Sequence, residues 1–175
     1  LFRSIVGTGA VGIRLARIAE GIGMRVLTSS LSEGTDSTET NDSSNRAEVS
    51  FPELLASSDA ISVHARLHPQ TRSMFGPAEF SQMKPTALFI NTARGQLVNN
   101  RALAEALANE TIAGAALDVF NSEPLDRNST LAHLPNVILT PHIASNTAEA
   151  LTVSLNMVVD NVVDYLQDRV RHRVS

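Results

Sequence analysis

Phe2-Arg-Ser-Ile-Val-Gly7-Thr-Gly9-Ala-Val-Gly12 is the stretch that decides how this chain folds. Phe2–Val6 reads as a buried strand and Val11–Ile22 as a helix, with three glycines at the joint. The first glycine permits a tight turn, the second lets backbone approach a pyrophosphate, and the third lets helix and strand pack closely. The helix N-terminus adds partial positive charge facing that phosphate. A lone GxGxxG is a weak signal. Here strand, glycines and helix come in the required order, which predicts a dinucleotide site lined by Gly7, Gly9, Ala10, Val11 and Gly12.

The same alternation of apolar, β-branched runs with helical stretches continues outward from that turn. Further strands are expected at Arg25–Thr28, Ala47–Val49, Ala60–His64, Ala87–Asn91, Ile112–Leu117 and Val137–Leu139, and helices at Pro52–Ala56, Pro77–Met83, Asn100–Asn109 and Thr147–Gln167. Repeated βαβ units imply an α/β fold, a Rossmann-type doubly wound parallel sheet of about seven strands in a single domain spanning residues 1–175. From Thr28 to Asn45 every residue except Leu31 is Ser, Thr, Asn, Asp, Glu or Gly, which predicts a surface loop.

Composition narrows the function. Hydrophobic residues make up 43% and charged residues 18%, the balance of a globular domain. A net charge of −4 offers no electrostatic attraction to nucleic acid or an anionic membrane. No apolar run approaches the ~20 residues of a transmembrane helix. The absence of cysteine rules out disulfides and thiolate metal sites and suits a cytoplasmic location. No His/Asp/Glu grouping has metal-ligand spacing, so no metal is expected. Leu1 in place of a starting methionine, running at once into a strand, predicts that sequence precedes this chain.

Three segments place a reactive side chain just beyond a strand's carboxyl end, where ligands sit in an open α/β sheet. They are Ala87-Leu-Phe-Ile-Asn-Thr-Ala-Arg94, Ala115-Ala-Leu-Asp-Val-Phe-Asn-Ser-Glu123 and Val137-Ile-Leu-Thr-Pro-His142. An arginine can grip a carboxylate, a histidine can move a proton, and a glutamate can hold the histidine charged. At the ribose position an NAD-binding unit usually carries an acid about 20 residues after the glycines. Here Ser30 stands eighteen residues after Gly12, with no arginine directly following. A serine can bond a ribose hydroxyl without repelling a 2′-phosphate, and Glu33 or Asp36 of the polar loop is the alternative acid, which favours NAD modestly and leaves NADP open.

Together these residues resemble the NAD-binding domain of the D-isomer-specific 2-hydroxyacid dehydrogenases, the phosphoglycerate dehydrogenase-like group. The likeness rests on Gly7–Gly12, Asp59-Ala-Ile-Ser-Val-His64, Met83-Lys-Pro, Ile90-Asn-Thr-Ala-Arg-Gly95, Gly114-Ala-Ala-Leu-Asp118, Glu123-Pro and Leu139-Thr-Pro-His142, in that order. The resemblance implies hydride transfer between a small D-2-hydroxy acid and its 2-oxo acid. It implies that Arg94 binds the substrate carboxylate and carbonyl oxygen, and that His142 is the general acid and base. Glu123 would sit against His142 to fix its charge and orientation. Asp118 would bond the nicotinamide carboxamide and ribose. Ala65, Thr92, Ala93, Arg94, His142, Ala144 and Ser145 would line the dinucleotide beside the glycines. It also implies a substrate domain that this chain lacks, and a homodimer formed through the present domain.

Arg66 and His68 depart from the family pattern, which has Pro and Thr there. Arg66 reads as a solvated arginine, with contact to a 2′-phosphate as the alternative. His64 and His68 read as structural, His133 and His172 as surface residues. On the last helix Ala148, Leu151, Leu155, Val159, Val162 and Leu166 form an apolar stripe, suited to packing on the sheet or to a partner subunit or absent domain. Two rivals to the enzyme stand beside it: a dinucleotide-sensing, corepressor-like binding module, and a truncated dimerising domain without activity.

Overall fold

Every described strand of this chain runs parallel to its neighbours, so each crosses over through a helix or long connection to reach the next. The computed structural model describes residues 2–29 and 46–169. In chain order the elements are β1 (Phe2–Val6), α1 (Ala10–Gly21), β2 (Arg25–Ser29), β3 (Arg46–Glu48), α2 (Phe51–Ser57), β4 (Ala60–Val63), α3 (Pro77–Gln82), β5 (Leu88–Asn91), α4 (Asn100–Ala108), β6 (Gly114–Leu117), β7 (Val137–Leu139) and α5 (Ala148–Leu166). Short 3₁₀ turns cover Gly95–Leu97 and Thr130–His133. Thr28 and Ser29, expected to open the polar surface loop over 28–45, are instead buried in β2, where they pair with β1. Residues 30–45, with the predicted Ser30 contact, and His172 lie outside the described residues.

The chain divides after Pro141 into two compact units. The first holds the whole sheet, in the order β3-β2-β1-β4-β5-β6-β7. This is the doubly wound order, with the topological switch between β1 and β4. The expected seven-strand Rossmann-type sheet is therefore present. Three of its strands are shorter than the sequence suggested, since β4 stops at Val63 rather than His64, β5 begins at Leu88 rather than Ala87 and β6 begins at Gly114 rather than Ile112, while β2 runs one residue further, to Ser29. Ile112 is nonetheless fully buried, so its apolar character reports the core rather than strand pairing.

Alternating residues of β1 serve opposite faces, as the two-residue strand period requires. Ile5 packs with Ala16, Ala19 and Val26 beneath α1. Val6 joins the larger core with Leu54, Leu55, Ile61 and Val63. The small residues Gly12, Ala16 and Ala19 form the buried face of α1 and allow its close approach. Four of the six phenylalanines interlock in the larger core: Phe75 lies 4.9 Å from Phe89 and 5.6 Å from Phe51, and Phe80 lies 5.4 Å from Phe89, all edge-to-face. Such pairs add to simple area burial because ring edges and faces carry opposite partial charge.

The ends of the helices are specified locally. Ser50 and Asn99 cap α2 and α4 by accepting from Glu53 N and Ala102 N. Glu79 reaches back to the Gly76 amide at 2.8 Å at the start of α3. Each satisfies a donor that the first turn leaves without an intrahelical partner.

The second unit contains α5, capped by Thr147 Oγ1, which accepts from Ala150 N at 3.1 Å. Along the predicted stripe Leu151, Leu155, Val159, Val162 and Leu166 are all more than half exposed. No helix among the described residues is long and apolar enough to cross a membrane.

Candidate active site

The glycine turn after β1 is built as a phosphate cradle. Gly7 has φ +101°, and a Cβ there would stand 2.7 Å from the backbone of His64 and Ala65. Both facts demand glycine. A Cβ on Gly12 would fall 2.1 Å from the Gly7 carbonyl oxygen, so the third glycine lets α1 start directly over the turn. Gly9 differs: a Cβ there would meet nothing within 4 Å. It is the N-cap of α1 with no side-chain capping bond, and no acidic residue occupies the first turn. The helix thus presents free N–H groups and its positive end to open space. That arrangement fits the pyrophosphate of a dinucleotide.

Beside this turn, β4 hands over to His64, whose N–H donates to Val6 O at 2.7 Å. His64 Nε2 lies 2.9 Å from Ser62 Oγ, and His68 Nδ1 lies 2.8 Å from Gln70 Oε1, which gives both rings local partners. Ala65 is buried against the glycine turn.

Past β5 the chain turns sharply, and Asn91 makes the turn. Its side chain accepts from Ala93 N at 3.0 Å and donates to Arg94 O at 2.9 Å. Its own carbonyl accepts from Asp118 N at 3.0 Å. Asn91 is fully buried, while Thr92 and Arg94 are exposed. The Arg94 guanidinium donates one bond to Ala93 O at 2.6 Å. A guanidinium has five N–H donors, so most remain for a planar anion.

Gly95 then joins this loop to the one after β6. A Cβ on Gly95 would lie 2.0 Å from Phe120 C and 2.2 Å from Phe120 O. Asn121 Nδ2 donates to Val98 O at 3.3 Å across the same seam. On the β6 side, Phe120 N donates to Glu123 Oε1 at 3.0 Å, and the peptide Glu123–Pro124 is cis. Asp118 is buried and accepts from Thr140 Oγ1 at 2.5 Å. Thr140 N in turn donates to Leu117 O.

The structure therefore brings the Arg94 and Glu123 loops into contact and holds Asp118 between β5 and β7. Sequence reasoning did not single out Asn91, Gly95 or Thr140. An asparagine that closes a strand is a turn former with a mechanism, and that signal could have found Asn91. His142 opens the second unit with Ala144 and Ser145, all exposed. Its φ of +55° is left-handed, a conformation that costs a non-glycine residue of order 1–3 kcal/mol and clusters at functional sites. Among the described residues no group of three or more His, Asp or Glu is placed to hold a metal ion.

A family description, "D-isomer specific 2-hydroxyacid dehydrogenase, NAD binding domain", matches residues 3–144. The chain belongs to that family. This dehydrogenase-family domain is 39% identical over 166 residues to a glyoxylate reductase of Aeropyrum pernix, covering 95% of the chain and 49% of that protein. Among solved structures it is similar to a D-lactate dehydrogenase from Aquifex aeolicus complexed with NAD and lactic acid, at TM-score 0.83 and 31% identity, covering 96% of this chain and 54% of the other. It is also similar to an acyclic imino acid reductase in complex with NADPH and D-Arg, at TM-score 0.87 and 28% identity, covering 99% and 53%. The domain spans about half the length of the curated relatives it matches.

Proposed function

We propose that this domain is the cofactor-binding half of an NAD-dependent D-2-hydroxyacid dehydrogenase acting on a small 2-hydroxy or 2-oxo acid of the glyoxylate or lactate class. One observation carries the reading. Arg94 and Asp118 leave adjacent parallel strands at matched register, Asn91 opposite Leu117, on the sheet edge that also bears the glycine cradle. That edge is where an α/β sheet binds its ligands. Relatives are described with NAD, and their names are those of glyoxylate reductases, glycerate dehydrogenases and D-lactate dehydrogenases.

Gly7, Gly9, Ala10, Val11 and Gly12 hold the pyrophosphate, with Ala65, Thr92, Ala93, Ala144 and Ser145 along the dinucleotide. Asp118 holds the carboxamide and ribose of the nicotinamide end. The bound cofactor supplies or accepts a hydride. Arg94 clamps the substrate carboxylate, where two parallel charge-assisted bonds fix orientation as well as affinity. His142 gives a proton to the carbonyl oxygen in reduction and removes it from the hydroxyl in oxidation. Glu123 serves His142 as its orienting carboxylate.

The substrate domain is supplied by sequence outside these 175 residues. The protein acts in the cytoplasm, in keeping with its lack of cysteine, and as a homodimer through this domain, in keeping with the exposed apolar stripe of α5.

The test is steady-state assay of the full-length protein with NADH and a panel of small 2-oxo acids, beside His142→Ala and Arg94→Ala. Each variant is expected to lose turnover while keeping NADH affinity. Full-length protein that binds NADH yet turns over no 2-oxo acid would overturn the enzyme reading in favour of a sensor. Light scattering checks the dimer.

A further inference from the structure

The end of β2 is where a dinucleotide-binding unit meets the adenosine ribose, and this chain carries no acid there. β2 closes on Ser29, which is buried, and Ser30, Leu31 and Ser32 follow before the first acid, Glu33. An aspartate or glutamate at that point holds the 2′-hydroxyl of NAD, whereas a nearby arginine accommodates the 2′-phosphate of NADP. Ser29 and Ser30 offer no carboxylate to repel that phosphate, and an arginine across the glycine turn would supply the cation.

Four of the described arginines are unsuited. Arg46 is committed to Glu20, with bonds of 3.0 and 3.1 Å. Arg25 begins β2, at the opposite edge of the sheet. Arg101 is paired with Glu105 on α4. Arg94 lies beyond β5, two strands from β1.

Arg66 is different. It stands three residues past Val63, the last residue of β4. β2 and β4 flank β1 on its two sides, and Ser29 and Val63 are both register partners of Val6. Neighbouring strands lie about 4.8 Å apart, so the ends of β2 and β4 stand roughly 10 Å apart across the glycine turn. A ribose phosphate from one side and an extended arginine from the other fill that gap between them.

The base of Arg66 is fixed while its side chain is open. Thr71, itself buried, donates from Oγ1 to Arg66 O at 2.8 Å and accepts from His68 N at 3.0 Å. The two preceding residues are wedged against Gly7. The Arg66 side chain is exposed.

We propose that Arg66 receives the 2′-phosphate of NADPH, so that this domain binds NADPH as well as NADH. The inference rests on the reading that the Gly7–Gly12 cradle holds a dinucleotide.

The experiment titrates this chain, and its Arg66→Ala and Arg66→Glu variants, with NADH, NADPH, 5′-AMP and 2′,5′-ADP by calorimetry. The unaltered chain is expected to bind NADPH within about tenfold of NADH. Arg66→Ala should weaken NADPH and 2′,5′-ADP by about tenfold or more, the worth of one charge-assisted contact, and Arg66→Glu further. NADH and 5′-AMP should stay within about twofold in both variants, since neither carries the phosphate that the contact needs. Equal weakening of all four ligands would mean that Arg66 meets the adenine, and unchanged NADPH binding would mean that it meets only solvent. Either result overturns the proposal while leaving the cradle reading intact. An unaltered chain that binds NADH but not NADPH also overturns the proposal alone. One that binds neither overturns the cradle reading with it.

Discussion

Replacing Asn91 with alanine should loosen the whole substrate-facing edge while leaving the cradle untouched. Asn91 is 1% exposed and its side chain makes two bonds to backbone, at 2.9 and 3.0 Å. Each such bond contributes about 0.5–1.5 kcal/mol net, and a buried partner left unpaired adds to the loss. Two bonds therefore put the cost of Asn91→Ala at about 2–3 kcal/mol. For a chain of this size each kcal/mol moves Tm by roughly 2–4 °C, so the variant should melt roughly 5–10 °C lower.

Asn91→Asp sharpens the test through pH. Its carboxylate could still accept from Ala93 N, but its second oxygen would oppose the Arg94 carbonyl in a buried site. The charged form is disfavoured there, so the folded-state pKa lies above the ordinary ~3.9 of an aspartate. The penalty is then absent below the unfolded pKa and grows as pH rises through the folded one. The variant should approach the unaltered Tm near pH 4 and fall away by pH 7, when both are melted side by side by circular dichroism. In the full-length protein Asn91→Ala should raise the 2-oxo acid KM with NADH affinity held. An Asn91→Ala variant that melts within about 1 °C of the unaltered chain would refute the reasoning, because two buried bonds cannot vanish at so little cost.

Two further outcomes follow from the same contacts. Gly7→Ala should abolish measurable NADH binding and lower Tm, since its Cβ must enter the 2.7 Å space beside His64 and Ala65 at a left-handed φ; fluorescence titration and a melt check both. Thr140→Val removes the donor 2.5 Å from the buried Asp118 carboxylate, and should cost about 1.5–3 kcal/mol in urea unfolding, with Thr140→Ser restoring most of it.

Much of the fold was legible locally. Phe2–Val6, Gly7, Gly9 and Gly12 announce themselves because backbone conformation, strand propensity and helix entry are properties of a few consecutive residues. Strand ends were less legible. Ile112 looks like strand because it is apolar and β-branched, yet it is core outside the ladder. Apolarity reports burial, whereas strand membership requires a hydrogen-bonding neighbour.

The sequence alone singled out Arg94, Asp118, Glu123 and His142 as candidates and expected Arg94, Glu123 and His142 just past strand ends, because strand direction and the position of each residue past its strand are set along the chain. What the tertiary structure decided is how those residues are held. Asn91 grips both ends of the Arg94 turn and also takes Asp118 N, Gly95 seats one loop on Phe120, and Thr140 reaches Asp118 from β7. Three of these contacts join residues 22 to 27 positions apart, and none has a period or motif to reveal it. They exist because parallel strands with matched register bring the ends of separate βα units to one edge, where buried polar groups must find partners in each other.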